Sequence, residues 1–307
     1  MAELRRFRFS VWLSVLAVLL LASATQSVAR DFGVLMETIE LADGTPADVY
    51  APAVPPGLKR KLEDRFPVAV LLHGALIDKA YYSTFARIIA DNDYIVVVPN
   101  RERTIALGPN VVSGLFSDVH VVTDAVDAMI VEDDDPRSPF FRITDTSTIV
   151  LLGHSFGGAV GIDAAAGVCE FPLCDPPIPD SFVRPEGLKA AALYGTSRVL
   201  CDPDPPTSVA DCVPSSRDTS GVAIALIQGT NDGIASPIKA DATLPELEPP
   251  HALVQLPGAT HYAICDVAQP PFPATIEPNT SELDQQAAVA LVAQRTLDWL
   301  EMILAAD

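Results

Sequence analysis

Thr148-Ile149-Val150-Leu151-Leu152 is a short β-branched and apolar run that reads as a buried strand. It leads into Gly153-His154-Ser155-Phe156-Gly157-Gly158, and then into the small, helix-tolerant stretch 159–166. A strand, a G-x-S-x-G turn and a helix in immediate succession leave the backbone few choices. The serine must sit at the tip of a sharp turn, with its hydroxyl pushed out over the edge of a sheet. Gly153 and Gly157 keep side chains out of the space where strand and helix nearly touch. The N–H of Phe156, at the start of the helix, is left free to donate to an anion.

The flanking segments extend this turn into an α/β domain. Phe66–Leu72 is a continuous apolar run, as expected of a strand buried on both faces. A helix is expected over Tyr81–Asp91, and a second buried strand over Tyr94–Pro99. Strand, helix, strand at this spacing is a βαβ unit and implies a parallel sheet. Upstream, Gly33–Leu41 and Ala47–Tyr50 read as a hairpin through Asp43-Gly44. Pro52–Lys61 and Asn100–Phe116 read as loops, and Asp118–Val131 as a helix ended by the solvated acid run 132–135. Further strands are expected at Leu188–Tyr194, Val222–Ile227 and Ala252–Leu256, and a last helix from about Ser281, capped there with Asp284 three residues on. The segments 169–187 and 196–220 are rich in proline, hold four of the five cysteines and read as excursions from a single domain spanning 31–307.

The first residues stand apart. Arg5, Arg6 and Arg8 precede the apolar run Val11–Leu21, and small residues recur at Ala22-Ser23-Ala24 and Ser27-Val28-Ala29. This is the pattern of a secretory signal peptide over 1–29, with cleavage after Ala24 or Ala29. A secreted or periplasmic protein is expected, with no stable membrane span once the leader is removed. Without residues 1–30, which carry four arginines and one glutamate, the net charge goes from −20 to −23. Such a surface repels nucleic acid and anionic membranes and suits a neutral or apolar substrate. In an oxidising compartment Cys169 can pair with Cys174 and Cys201 with Cys212, each closing a short loop and leaving Cys265 over. No cysteine pair has zinc-ligand spacing with histidines nearby, so neither a metal nor a cofactor is expected.

A serine hydroxyl is a weak nucleophile and needs a base within reach and an acid to orient that base. The chain has five histidines. Of these, His261 follows the last expected strand in a glycine-containing loop, after a candidate acid, Asp232, that lies just past the preceding strand. Ser155, Asp232 and His261 thus come from three strand ends that a parallel sheet would bring to one edge. Asp266 and Asp202 are the alternative acids. His73-Gly74 follows the strand expected beside that of the serine, and the N–H of Ala75, or of Leu76, can serve with that of Phe156 as an oxyanion donor. Leu76 and His154 are expected to contact substrate, and the His73 ring to brace its loop.

The elbow GHSFGG, the HG pair at 73–74, NDGIAS at 231–236 and PGATHYAIC at 257–265 together resemble the α/β-hydrolase superfamily over roughly residues 34–303. More narrowly they resemble the dienelactone-hydrolase-like group of bacterial cutinases, polyester hydrolases and platelet-activating-factor acetylhydrolases. The resemblance implies a mostly parallel central sheet flanked by helices on both faces, with Ser155, Asp232 and His261 as the triad. It also implies hydrolysis of a carboxylic ester, small-molecule or lipid, through an acyl-enzyme. The excursion 196–220 occupies a usual lid position. Two features depart from the polyester hydrolases: Ala75 stands where they carry an aromatic residue, and no tryptophan lies near Ser197. Acyl transfer, amide cleavage or perhydrolysis on the same triad, and a binding protein on the same fold, are the alternatives.

Overall fold

The computed structural model describes residues 33–59, 65–107, 110–174, 182–271 and 275–306. The expected signal peptide lies outside them. Backbone contacts separate Met1–Asp31 from Phe32–Asp307, and every element below belongs to the second unit.

The chain enters with an antiparallel hairpin, β1 (Val34–Glu40) and β2 (Pro46–Pro52). Its turn is set by Asp43, whose carboxylate accepts the N–H and the hydroxyl of Thr45, both at 2.9 Å. The segment read as a loop over 52–61 contains one helical turn, α1 (Pro56–Lys59). Proline at the first helical position favours it, since that residue needs no N–H partner.

β3 (Phe66–Leu72), α2 (Ser83–Ala90) and β4 (Ile95–Pro99) form the expected βαβ unit. A 3-10 turn at Lys79–Tyr82 precedes α2, so the regular helix starts two residues late. The Asp266 carboxylate accepts the N–H groups of Ser83 (3.1 Å) and Thr84 (2.9 Å) there, which spends this alternative acid on a helix end. Asp202 is exposed.

The loop expected over 100–116 is instead a second antiparallel hairpin, β5 (Glu102–Leu107) and β6 (Asn110–Leu115). Gly108-Pro109 between two short runs was its sequence signal. The hairpin stands outside the main sheet, so it lacks the apolar run by which the buried strands announce themselves.

α3 (His120–Asp134) runs through most of the acid stretch rather than ending before it. Asp133 is no idle surface charge: its carboxylate accepts the Thr144 N–H at 2.9 Å and pairs with Arg65 at 2.8 Å. β7 (Thr144–His154) and α4 (Phe156–Ala165) flank Ser155, and β8 (Leu188–Tyr194) follows. The excursion after β8 contains a two-residue pair, β9 (Leu200–Cys201) and β10 (Cys212–Val213), with Cys201 opposite Cys212 and disulfide-bonded to it. Cys169 and Cys174 form the other disulfide, and Cys265 is free and buried. Then come β11 (Ala223–Gly229), the unexpected α5 (Pro237–Thr243), β12 (His251–Leu256) and α6 (Gln285–Leu304). Asp284, not Ser281, caps α6, accepting the Gln286 N–H at 3.0 Å; Ser281 bonds within its own loop.

The eight-stranded sheet has the order β1-β2-β4-β3-β7-β8-β11-β12. From β4 to β12 all neighbours are parallel; β1 and β2 complete the other edge antiparallel. Alternate residues serve two cores. Val68, Val70 and Leu72 of β3 pack toward α3 and α4, while Ala69 and Leu71 pack toward α2 and α6. Each buried Val or Leu contributes about 1.5–3 kcal/mol, so only an unbroken apolar run satisfies both faces. Among the described residues no helix is long and apolar enough to cross a membrane.

Four charges fasten the second excursion to α4. Asp163, fully buried on α4, accepts Arg198 Nε at 2.9 Å and Arg217 Nε at 3.0 Å. Glu170 accepts from the same two guanidinium groups at 3.1 and 2.6 Å. Both ends of 196–220 are thereby held on one carboxylate. Asp163→Asn leaves two arginines facing a neutral amide, and removal of one partner from such a buried group costs about 3 kcal/mol or more. Urea denaturation of the variant should show a loss of that size. A loss under about 1 kcal/mol would mean that the packing of the excursion does not depend on these pairs.

Candidate active site

The strand order places a crevice where the chain reverses direction. β3 is followed by β4 on one side and by β7 on the other. In an open α/β sheet the gap beyond the carboxyl ends of such strands is where ligands bind. Loop 73–76 leaves β3 there and Ser155 leaves β7 there; Asp232 and His261 follow β11 and β12 at the same edge.

Ser155 has φ 53° and ψ −121°, a conformation that a residue with a side chain adopts at a cost of about 1–3 kcal/mol. Its surroundings hold it so. The Ser155 N–H donates to Tyr194 O at 3.0 Å, and its carbonyl accepts the Thr196 hydroxyl at 2.7 Å and the N–H of Gly158 at 3.0 Å. Gly157 is required by close approach: a Cβ there would lie 2.2 Å from Leu72 O and 2.5 Å from His73 O. The start of α4 is thus pressed against the end of β3.

Asp232 and His261 are both buried, with Asp232 Oδ2 2.9 Å from His261 Nδ1. The carboxylate also accepts Gln228 Nε2 at 3.1 Å and the N–H groups of Ile234 (2.9 Å) and Ala235 (2.7 Å). Every partner is a donor, so the carboxylate acts as acceptor alone. His261 then carries its proton on Nδ1 and presents the Nε2 lone pair. Gly195 (φ +57°) lies over this pair, and a Cβ would stand 3.0 Å from Asp232 Oδ2 and 3.1 Å from His261 Nδ1. Tyr194, the residue before Gly195, accepts the Ser155 N–H. No hydrogen bond joins the Ser155 hydroxyl to His261 Nε2; the bond of the His261 ring to Asp232 is made through Nδ1.

The candidate donors differ in their engagement. Leu76 N–H donates to Leu115 O at 2.7 Å and Gly74 N–H to Tyr82 Oη at 2.8 Å. Ala75 N–H, between them, has no acceptor among the described residues, and Phe156 N–H is a first-turn donor of α4. Leu76 (φ 60°) packs under β6, where a Cβ on Gly114 would fall 2.5 Å from its Cδ2. His154 is placed behind the site: fully buried, it bonds Tyr82 Oη through Nδ1 at 2.9 Å and His261 O through Nε2 at 3.0 Å. It is a support under the base and offers no surface to a ligand. Burial, and then the neighbouring His261, push its pKa well below the usual histidine value.

Other supports carry no sequence motif. Glu277 accepts the backbone N–H of His261 at 2.9 Å and that of Gly233 at 3.1 Å, tying the base loop to the acid loop. Tyr194 Oη donates to Thr260 O at 2.5 Å. His120, Cys169 and Cys174 bring ligand atoms within 4.8 Å of one another, but the two sulfurs are bonded to each other and present no thiolate to a metal.

No protein-family model and no curated protein matches this sequence. Its chemistry is therefore read from the residues themselves.

His73, in the loop before Ala75, is fully buried with Nδ1 2.9 Å from Gly74 O, and burial pulls its pKa from 6.5 to about 4. The unfolded chain takes up this proton as the pH falls through about 6.5, whereas the folded protein does so only near 4. The stabilisation is complete above pH 6.5 and is lost between there and 4, by about 3 kcal/mol. His73→Asn keeps a donor toward Gly74 O and cannot titrate. From pH 7 to 4 its urea stability should fall by about 3 kcal/mol less than that of the parent. Parallel losses would show that His73 does not carry this pH dependence.

Proposed function

We propose that this protein is a secreted serine hydrolase of α/β-hydrolase fold that cleaves a carboxylic ester through an acyl-enzyme. The observation that carries the reading is Ser155, strained at the end of the central strand β7, with the buried Asp232–His261 pair on neighbouring strand ends. Strain at a non-glycine residue is kept where the surroundings enforce it, and here they hold a half-buried serine at a strand end.

The reading assigns the following steps. His261 Nε2 takes the Ser155 proton as Oγ attacks the ester carbonyl. The imidazolium so formed is held by Asp232, whose carboxylate fixes both the tautomer and the ring position. Negative charge on the carbonyl oxygen is met by the N–H groups of Phe156, in the first turn of α4, and Ala75. Collapse transfers the proton to the leaving alcohol. Water, activated by the same histidine, then releases the acid. No metal or cofactor enters any step.

The excursion 196–220 serves as a fixed wall of the site in this reading. A moving lid would have to break the Arg198 and Arg217 pairs with Asp163, as well as the Lys239–Asp204 pair at 2.7 Å. Two disulfides suit an oxidising compartment outside the cytoplasm, and a net charge of −20 favours neutral or apolar esters over anionic ones.

Hydrolysis of p-nitrophenyl esters from acetate to palmitate tests the reading. Ser155→Ala should abolish turnover, by about 10⁶-fold in kcat, and Asp232→Asn should lower it by about 10⁴-fold through loss of the tautomer. Turnover retained in Ser155→Ala would refute the mechanism. Partition of the acyl group to an added alcohol in preference to water would assign acyl transfer instead. Arg217→Met should broaden or shift the acyl-length profile if the excursion is a wall of the acyl site; an unchanged profile would remove it from that role.

A further inference from the structure

The nucleophile motif contains one histidine that the mechanism does not use. His154 precedes Ser155, is fully buried, and has both ring nitrogens engaged. Its position is unusual in what it joins. Nδ1 meets Tyr82 Oη at 2.9 Å, and the same Oη accepts the Gly74 N–H at 2.8 Å. Nε2 meets the carbonyl of His261 at 3.0 Å.

The proton positions follow from the partners. A carbonyl only accepts, so Nε2 carries the hydrogen. Nδ1 is then the acceptor, and Tyr82 donates its hydroxyl hydrogen to it while receiving that of Gly74. The chain therefore runs in one direction, from Gly74 N–H through Tyr82 O–H to His154, and from His154 Nε2–H to His261 O. A buried neutral imidazole keeps this arrangement, since a second ring proton would leave Tyr82 and His154 donor against donor. Cys265, also fully buried, places its thiol beside the same tyrosine hydroxyl.

We propose that His154, through Tyr82 on one side and the His261 carbonyl on the other, is a positioning residue that sets the oxyanion loop and the base loop at a fixed separation around Ser155. This rests on the esterase reading above. Gly74 is the immediate neighbour of Ala75, the proposed oxyanion donor, and His261 is the proposed base. The two loops leave β3 and β12, which lie four strands apart in the sheet. No direct hydrogen bond joins loop 73–76 to His261 among the described residues; the chain through Tyr82 and His154 does. The rings of His154 and His261 also lie 4.8 Å apart between centroids, tilted by 46°. Transition-state stabilisation requires donor and base together, and a misplacement of about 1 Å is enough to cost a large part of the rate.

Three variants and a cycle test the strut. Tyr82→Phe removes the hydroxyl and leaves the ring. His154→Gln keeps an N–H that can reach His261 O and loses the imidazole acceptor; His154→Phe loses both. Each of Tyr82→Phe and His154→Phe should lower kcat for a p-nitrophenyl ester by about tenfold or more, with KM within about twofold, and His154→Gln should fall between His154→Phe and the parent. Tyr82→Phe combined with His154→Phe should be little worse than His154→Phe alone, because both cut one chain; independent effects would multiply to about a hundredfold. Ile89→Val, in the same layer on α2, gives the kcat of a variant that is only destabilised.

Nitrogen-15 NMR of the histidine rings supplies a readout that needs no turnover. His154 should show a neutral ring protonated on Nε2 at pH 7, and Tyr82→Phe should shift the ring resonances of His261. Multiplicative effects in the cycle, a loss of kcat in Ile89→Val equal to that in Tyr82→Phe, or unmoved His261 resonances would overturn the proposal. A parent protein that lacks Ser155-dependent turnover, yet whose His261 resonances respond to Tyr82→Phe, would overturn the esterase reading and leave the strut standing.

Discussion

The close approach of α4 to the end of β3 at Gly157 is the constraint on which the site depends. With Leu72 O only 2.2 Å from where a Cβ would stand, no other residue fits without moving the helix or the strand. Because the helix starts there, the turn before it is too tight for a relaxed backbone, and Ser155 takes up the strain. The same approach brings the start of α4 beside the end of β3 and so beside His73, which opens the loop 73–76. The parallel sheet then determines the rest, since every strand from β4 to β12 ends at that edge and the residues just past those ends share one crevice.

What holds the loops there is polar and buried, which is expensive unless each group is satisfied. Asp232 has four donors, and Glu277 links the backbone of residues 233 and 261. Asp163 gathers both roots of the excursion on one carboxylate. Groups of this kind contribute less to net stability than to fixing one arrangement, because breaking any one leaves another unpaired in a dry surrounding. The apolar layers on the two faces of the sheet supply the stability; these contacts supply the placement.

Much of this was legible in the sequence wherever burial leaves a periodic trace. β3 and β8 appear at the residues that their apolar runs mark, because a strand covered on both faces is apolar along most of its length, with half-buried Lys189 near the start of β8 as the polar exception. The strand-end placement of Ser155, Asp232 and His261 follows from the order of strands alone. The hairpin 102–115 leaves no such trace because it stands off the sheet: exposed residues alternate with buried Arg103 and Ile105 in β5, and β6 has no buried residue. Gln228, Glu277 and Tyr82 were missed for a different reason. Each reaches the site from a residue whose own sequence neighbourhood carries no sign of it, and only the tertiary fold brings it there. His154 was seen but misplaced. Adjacency to the serine suggests contact with a substrate, whereas alternation at the end of a strand turns that side chain to the opposite side from its neighbour, into the core.

The most direct measurement is covalent labelling of the folded protein with a fluorophosphonate, followed by tandem mass spectrometry of its peptides. The account predicts one phosphonyl group per chain, on Ser155, and loss of labelling when the protein is first unfolded in urea. A folded protein that takes no label, or takes it on another residue, would contradict the claim that this strained serine is an activated nucleophile.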